Sequence, residues 1–373
     1  MKNGVYIITS CILKTKVNLP KGKKWYLVAI VTCLIVMLLL SWVKASPTFV
    51  EQYYSRQFYP LFSHVPKLLF GWLPFSIGDV FYVALFGTLL LLAISSIIGL
   101  SKRKWATAQK RLMQLVLVLF GTYIYFYVSW GLQYYRVPLQ QQLGLEIDTI
   151  VQADYIDILD RYIVEINGLR KQLDTSKMDK ARARRELQQL MAESSDRLPM
   201  LSRTQVKAKQ PVSSALASYF TVTGYFNPFT QEVQVNGVMP ETSYPFTVVH
   251  ELAHQMGIGF EDECNFIAFL MLQDHPDKWY RYAAYYETVQ YLLRPLYFQD
   301  KMLYTVYVDK LSAAVRSDYE NERLFWQQYY GTFNRLTNLF YGSYLRHNNQ
   351  PEGMARYSLM SRLVIAWEKQ RSP

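Results

Sequence analysis

Residues 249–266 read VHELAHQMGIGFEDECNF, and the use made of the two histidines in this stretch decides both the fold and the chemistry. His250 and His254 are four positions apart, so on a helix they share one face and both imidazoles can converge on one metal ion. Glu251 is turned about 100° from His250. In an H-E-x-x-H helix that carboxylate does not bind the metal but acts as general base toward water beside it. The competing reading is a core helix that contains two histidines and no metal. Pro245 suits the first turn of such a helix, with Thr242 or Ser243 as its cap. Gly257 and Gly259 are natural terminators, and a new helical pattern opens at Glu261 and runs through Phe266, Ile267, Leu270 and Met271. So short a turn folds the second helix back and brings its first turn to the histidines. Two acids stand in that turn, Glu261 and Glu263, about 200° apart around the helix.

The residues around the motif sharpen it. Thr247, Val248, Leu252, Ala253, Gln255 and Met256 match the longer consensus of the zincin metallopeptidases, which this segment resembles. The resemblance implies a bound Zn2+, peptide substrates, and an edge strand close to the motif along which an extended substrate lies. Glu261-Asp-Glu-Cys-Asn265 is similar to the E-x-x-A-[DN] element of the gluzincins, with Cys264 in the small-residue position. That likeness implies Glu261 as third ligand and Asn265 as the side chain that holds a ligand histidine, with Glu263 as the alternative ligand. Phe260 occupies the place of the third histidine of metzincins, which excludes that assignment. Zincins also often bring a tyrosine or histidine from their C-terminal part to stabilise the oxyanion, for which Tyr344, His347 and Tyr357 are the candidates. HELAHQ, followed closely by EDECNF and preceded by three apolar runs, further resembles an uncharacterised bacterial family of three-span membrane proteins carrying a domain of unknown function.

Upstream of the motif the texture is mostly helical. Tyr155, Leu159, Tyr162, Ile166, Leu169 and Leu173 alternate in steps of four and three, one face of an amphipathic helix. Ser176 with Asp179 resembles a capping box for a charged helix over Met178–Leu198. Between Ser218 and Val238 aromatic and β-branched residues flank the turn signal Asn227-Pro-Phe-Thr230, the mark of a β-hairpin. His275, within Asp274-His-Pro-Asp277, reads as a helix-end residue rather than a ligand. Cys264 reads as a packed small residue.

The N-terminal third differs from the rest. Trp25–Val43, Val80–Leu100 and Leu112–Tyr135 are apolar and uncharged, each long enough to cross a bilayer as a helix, which takes about 20 residues. The net charge of +11 sits at their flanks. Lys2, Lys14, Lys16, Lys21, Lys23 and Lys24 precede the first run, Lys102, Arg103, Lys104, Lys110 and Arg111 lie between the second and third, and neither segment contains an acid. These basic residues equal the whole excess, so the charge is a topology signal and not a nucleic-acid footprint. Basic flanks mark the cytoplasmic side and put 1–24 and 101–111 inside and residues 136–373 outside. Val43-Lys-Ala45 offers the alternative of a cleaved signal peptide. Of Cys11, Cys33 and Cys264, only the last falls in the outer domain, so no disulfide can form within it.

The resulting expectation is a mainly α protein: a membrane region over 1–135, then a mostly helical zincin-like domain with a small β-hairpin. By the resemblance it is a membrane-anchored, zinc-dependent metallopeptidase of the cell membrane, its partners the lipid bilayer and a peptide or protein substrate. A tethered pseudo-peptidase, or a sensor that binds a partner without catalysis, is the alternative, against which Glu251 argues.

Overall fold

The computed structural model describes residues 21–174, 178–331, 347–348 and 359–371. Most of these are helical, as the periodicities require. Three helices are long and apolar enough to cross a membrane: α1 (Lys21–Lys44), α3 (Ile77–Ser101) and α4 (Trp105–Ser129). Between α1 and α3 run a helical turn, Pro47–Phe49, a π-helical stretch, Val50–Phe58, and α2 (Tyr59–Phe70). After α4 come a 3-10 turn, Gly131–Tyr135, a short helix, Leu139–Gln142, α5 (Gln152–Gln172) and α6 (Lys180–Ser194). Then follow β1 (Ala208–Lys209), α7 (Ser214–Tyr219), β2 (Gly224–Asn227), β3 (Glu232–Val235), α8 (Tyr244–Gln255) and α9 (Glu261–Leu272). The described helices that close the chain are α10 (Lys278–Gln299), α11 (Lys301–Lys310), α12 (Ala313–Gln327) and α13 (Leu359–Arg371).

The chain divides into two compact units. One holds the described residues up to Ser41 together with Ala84–Tyr125. Its helices α3 and α4 meet where Gly99 faces Ala108, too close for a side chain on Gly99 without adjustment, and Lys23 Nζ reaches Gln109 Oε1 at 2.7 Å. The other unit joins Trp42–Val83 to the described residues from Phe126 onward.

The structure departs from the sequence expectation at both ends of the third apolar helix and in the segment between the first two. The third apolar helix begins at Trp105, not Leu112, leaving only a tight turn at Lys102–Lys104 before it, and it ends at Ser129, not Tyr135. Trp130, Leu132, Gln133 and Tyr134 are instead buried inside the unit. Hydropathy sees an apolar run in either case and does not distinguish a lipid-facing end from a segment covered by protein. Between the first two apolar helices, residues 47–70 form a continuous helical stretch with one buried face.

Within this unit α5 packs along α10, and α6 along α8. The α5 face holds Leu159, Tyr162, Ile166 and Leu169, as its spacing requires. Asp179 caps α6 directly, its Oδ1 accepting from the Ala181 and Arg182 backbone amides; Ser176 lies outside the described residues. The hairpin forms with Gly224 opposite Val235 and Asn227 opposite Glu232. Its first expected residues belong to α7 instead, and β1, which pairs parallel with β3, is too short to leave an alternation signal. The sheet order β1-β3-β2 leaves β2 at an edge. Val248, Val249, Leu252 and Ala253 of α8 and Phe266, Ile267 and Phe269 of α9 are fully buried, so the motif helices are themselves the centre of the core.

Candidate metal centre

Helix α8 starts with Pro245 in its first turn. Ser243 is the capping residue, but its hydroxyl makes no capping bond and donates to Glu322 Oε1 at 2.6 Å. At the other end Gly257 takes φ +90°, a left-handed conformation that glycine adopts without strain. Gly259 passes so near Gln133 that a Cβ there would lie 3.0 Å from its carbonyl carbon. These two glycines turn the chain within the core and set α9 against α8.

That turn brings Glu261 between the histidines. Its Oε2 lies 3.1 Å from His250 Nε2 and its Oε1 lies 3.5 Å from His254 Nε2. The other ring nitrogens are engaged: His250 Nδ1 is 2.7 Å from Asn265 Oδ1, and His254 Nδ1 is 2.8 Å from the Ile258 carbonyl oxygen. Both partners are oxygens that can only accept, so each Nδ1 carries a proton and the neutral form of each ring presents its lone pair at Nε2. With the rings neutral, two imidazole lone pairs and a carboxylate face one another. A cation among them converts that repulsion into attraction, and the set suits a borderline metal ion.

The same demand for positive charge appears in the ionisation of the buried groups. Burial opposes ionisation of Glu261, but the two imidazoles hold its carboxyl well below the usual range. Burial likewise opposes a charged His254, yet Cys264 and Glu261 raise it well above its ordinary value. Burial pushes the Cys264 thiol up to about 12, so it is neutral and Glu261 is the effective partner.

Cys264 forms a second grouping with His250 and His254, their nearest ligand atoms within 4.8 Å of one another. Its Sγ, however, lies 3.3 Å from His254 Nδ1, the nitrogen already committed to Ile258. The His250, His254 and Glu261 set uses the free Nε2 edge of both rings and is the better ligand group.

Glu251 lies buried beside these groups, and its Oε2 has no hydrogen-bond partner among the described residues. Burial raises its carboxyl to about 7, against the lowering pull of His250 and His254. A cavity of about 510 Å³ opens here, lined by His250, Glu251, His254, Glu261 and the β2 residues Gly224, Tyr225 and Phe226. Tyr291, Glu287 and Glu322 line it as well. None of these three is marked by a motif; they arrive through helices α10 and α12.

Glu263 is not part of the group. Its Oε1 accepts from the Leu139 backbone amide at 2.6 Å, on another side of α9. His347 is exposed, and Tyr344 and Tyr357 lie outside the described residues. His275 Nδ1 accepts from the Asp277 amide at 3.0 Å, within the turn between α9 and α10.

Four donors that no pattern in the sequence announces hold the end of α8. Trp130 Nε1 donates to the His254 carbonyl at 3.1 Å, Tyr59 OH to that of Gln255 at 2.7 Å, and the Ser202 amide to that of Met256 at 2.8 Å. Arg136 Nη1 donates to the Gly257 carbonyl at 2.7 Å. Carbonyls at a helix end lack intrahelical partners, and here each receives one from a distant segment. Arg136 is itself fixed by two bonds to the Glu51 carboxylate, of 2.7 and 2.8 Å.

A family model described as "Protein of unknown function (DUF3810)" matches residues 54–365, a span that takes in every group of this site. No curated protein and no solved structure matches the chain.

Proposed function

For this chain, which belongs to the DUF3810 family of proteins of unknown function, we propose a membrane-anchored, zinc-dependent metallopeptidase acting on the extracytoplasmic side. The observation that carries this reading is the convergence of His250 Nε2, His254 Nε2 and the Glu261 carboxylate, with the unpartnered Glu251 carboxylate oxygen beside them. The resemblance of HELAHQ and EDECN to the gluzincin elements supports the same assignment.

His250, His254 and Glu261 would hold the ion, and Asn265 and the Ile258 carbonyl would keep the two rings in the required tautomer. Zinc bound there supplies Lewis acidity and lowers the pKa of water. Glu251 would take the proton from the attacking water and return it to the leaving amine, a role suited to a buried carboxylate with one oxygen unpartnered among the described residues. Among the described residues, strand β2 lines the cavity with strand pairing on one side only, which supports an extended peptide lying along its other edge. The sidedness rests on Lys102, Arg103 and Lys104 between α3 and α4, which favour the cytoplasm. Residues 42–83 and 126 onward then emerge on the opposite side, in keeping with their joining in one compact unit.

The test is metal analysis of the full-length chain in detergent, followed by hydrolysis of a broad mixture of unstructured peptides. About one zinc per chain and hydrolysis abolished by a chelator are expected. A protein that takes up no zinc at neutral pH sinks the proposal. One that binds zinc and cleaves nothing favours a binding role.

A further inference from the structure

We infer that the outward face of the helical stretch from Pro47 to Phe70 lies in the headgroup region of the lipid bilayer, so that the unit carrying the metal centre rests on the membrane along this stretch. The inference is independent of the peptidase reading.

The stretch has two faces of opposite use. Val50, Tyr54, Ser55, Tyr59, Ser63 and Lys67 are buried within the unit. Their spacing of four to five residues through Val50–Phe58 matches the wider π-helical turn, and the spacing of four from Tyr59 onward matches the α-helix. On the opposite side Tyr53, Leu61, Val65, Leu68, Leu69 and Trp72 are exposed, Leu61 at 76% and Trp72 at 72%. A helix lying on water would carry charge on that face. At the start of the stretch Gln52, Arg56 and Gln57 are exposed, with Arg56 turned to Glu51 and Gln142. Between Gln57 and Ser76, however, the single charged residue is Lys67, and it points inward, its Nζ 2.7 Å from Thr204 Oγ1. A contiguous exposed apolar stripe of this kind marks an interaction surface.

The chain itself indicates the occupant. The stretch leaves one helix apolar enough to cross a membrane at Lys44 and enters the next at Ile77. Both ends are therefore tied to the same membrane surface, and an apolar face between them is covered by lipid. Trp42 and Trp72, both exposed, stand at the two ends, where interfacial aromatic residues favour the headgroup level.

The test uses the full chain in phosphatidylcholine vesicles, with Cys11 and Cys33 replaced by serine and the fully buried Cys264, closed to the label, kept in every variant. A single cysteine at Leu61, Val65 or Leu68 carries an environment-sensitive fluorophore, and one at Leu324, exposed on α12, serves as reference. Phosphatidylcholine with a shallow nitroxide should quench the three labels several-fold more than the reference, and more than a deep nitroxide does. Aqueous iodide should quench the reference several-fold more than the three. If iodide reaches all four equally and the lipid quenches none, the face lies in water and the inference fails. Labels shielded from both quenchers mean cover by protein, such as a second copy, which also overturns it.

Discussion

Gly224 of β2 lies against Glu251 of α8, so close that a Cβ on residue 224 would stand 2.7 Å from Glu251 Cγ and 2.8 Å from its Oε1. The absence of a side chain at 224 is what lets the edge strand and the proposed general base share one wall of the cavity. Gly224→Ala should keep the fold, because the group displaced is the end of a flexible side chain. It should keep zinc and lower peptide hydrolysis by about 100-fold, as misplacement of a catalytic group by about 1 Å can do. Unchanged hydrolysis with zinc retained would separate Glu251 from the chemistry.

Glu251 also makes stability depend on pH in the metal-free protein. Its carboxyl is raised from 4.5 to about 7 in the folded state. A raised carboxyl contributes stability that is fully present below the unfolded value and is lost as pH rises through the folded one. The shift amounts to about 3 kcal/mol at most. Glu251→Gln removes this dependence, so with chelator present its melting temperature relative to wild type should climb from pH 5 to pH 8. A difference that stays flat would mean that Glu251 is already ionised in the fold. The same variant loaded with zinc should lose hydrolysis by about 100-fold or more.

Glu261 and Glu263 separate by their partners. Glu261→Gln should lose zinc severely, since a neutral amide replaces an anionic ligand oxygen. Glu263→Gln should retain zinc stoichiometry and lose about 1 kcal/mol from the weakened bond to the Leu139 amide. Zinc lost in Glu263→Gln and kept in Glu261→Gln would reverse the assignment.

The buried Arg136–Glu51 pair ties the segment after α1 to the segment after α4 and to the turn following α8. Burial would raise the Glu51 carboxyl, but Arg136 and Arg56 outweigh it and hold the group below its ordinary value. Arg136→Met leaves the buried Glu51 charge to the half-exposed Arg56 and to Gln142, and should cost about 3 kcal/mol. Adding Glu51→Gln should restore part of the loss, read as thermal unfolding in detergent. No restoration would assign the loss to the Gly257 and Met200 carbonyls that Arg136 also serves.

Topology is read by reporter fusions. A reporter after Pro373 should behave as extracytoplasmic and one inserted at Lys102–Lys104 as cytoplasmic; the opposite pattern puts the candidate metal centre inside the cell.

Much of the site was legible because its spacing is local. His250 and His254 share a face on any α-helix, whatever surrounds it, and the paired glycines announce a turn short enough to return the chain. Glu261 and Asn265 were named from their likeness to a known element. Spacing alone left Glu263 open, because the rotation of α9 about its own axis is not encoded in α9. Tyr291, Glu287 and Glu322 went unnoticed in a tyrosine-rich helical region where nothing marks one aromatic or acid above another.

The sequence by itself determined three apolar helices, a hairpin at Asn227–Thr230 and a helix with two histidines on one face, because each follows from the period of its own residues. Tertiary structure decided which glutamate meets those histidines: the Leu139 amide claims Glu263, and the chain passing Gln133 sets the turn that delivers Glu261. It decided that Trp130–Tyr134 leave the apolar run for the interior of the second unit, and that residues 42–83 belong to the unit of the candidate metal centre. The bond from Tyr59 to the Gln255 carbonyl joins residues 196 apart. Such a contact leaves no periodic trace, since hydrophobic pattern records which face a residue turns inward and not what it meets there.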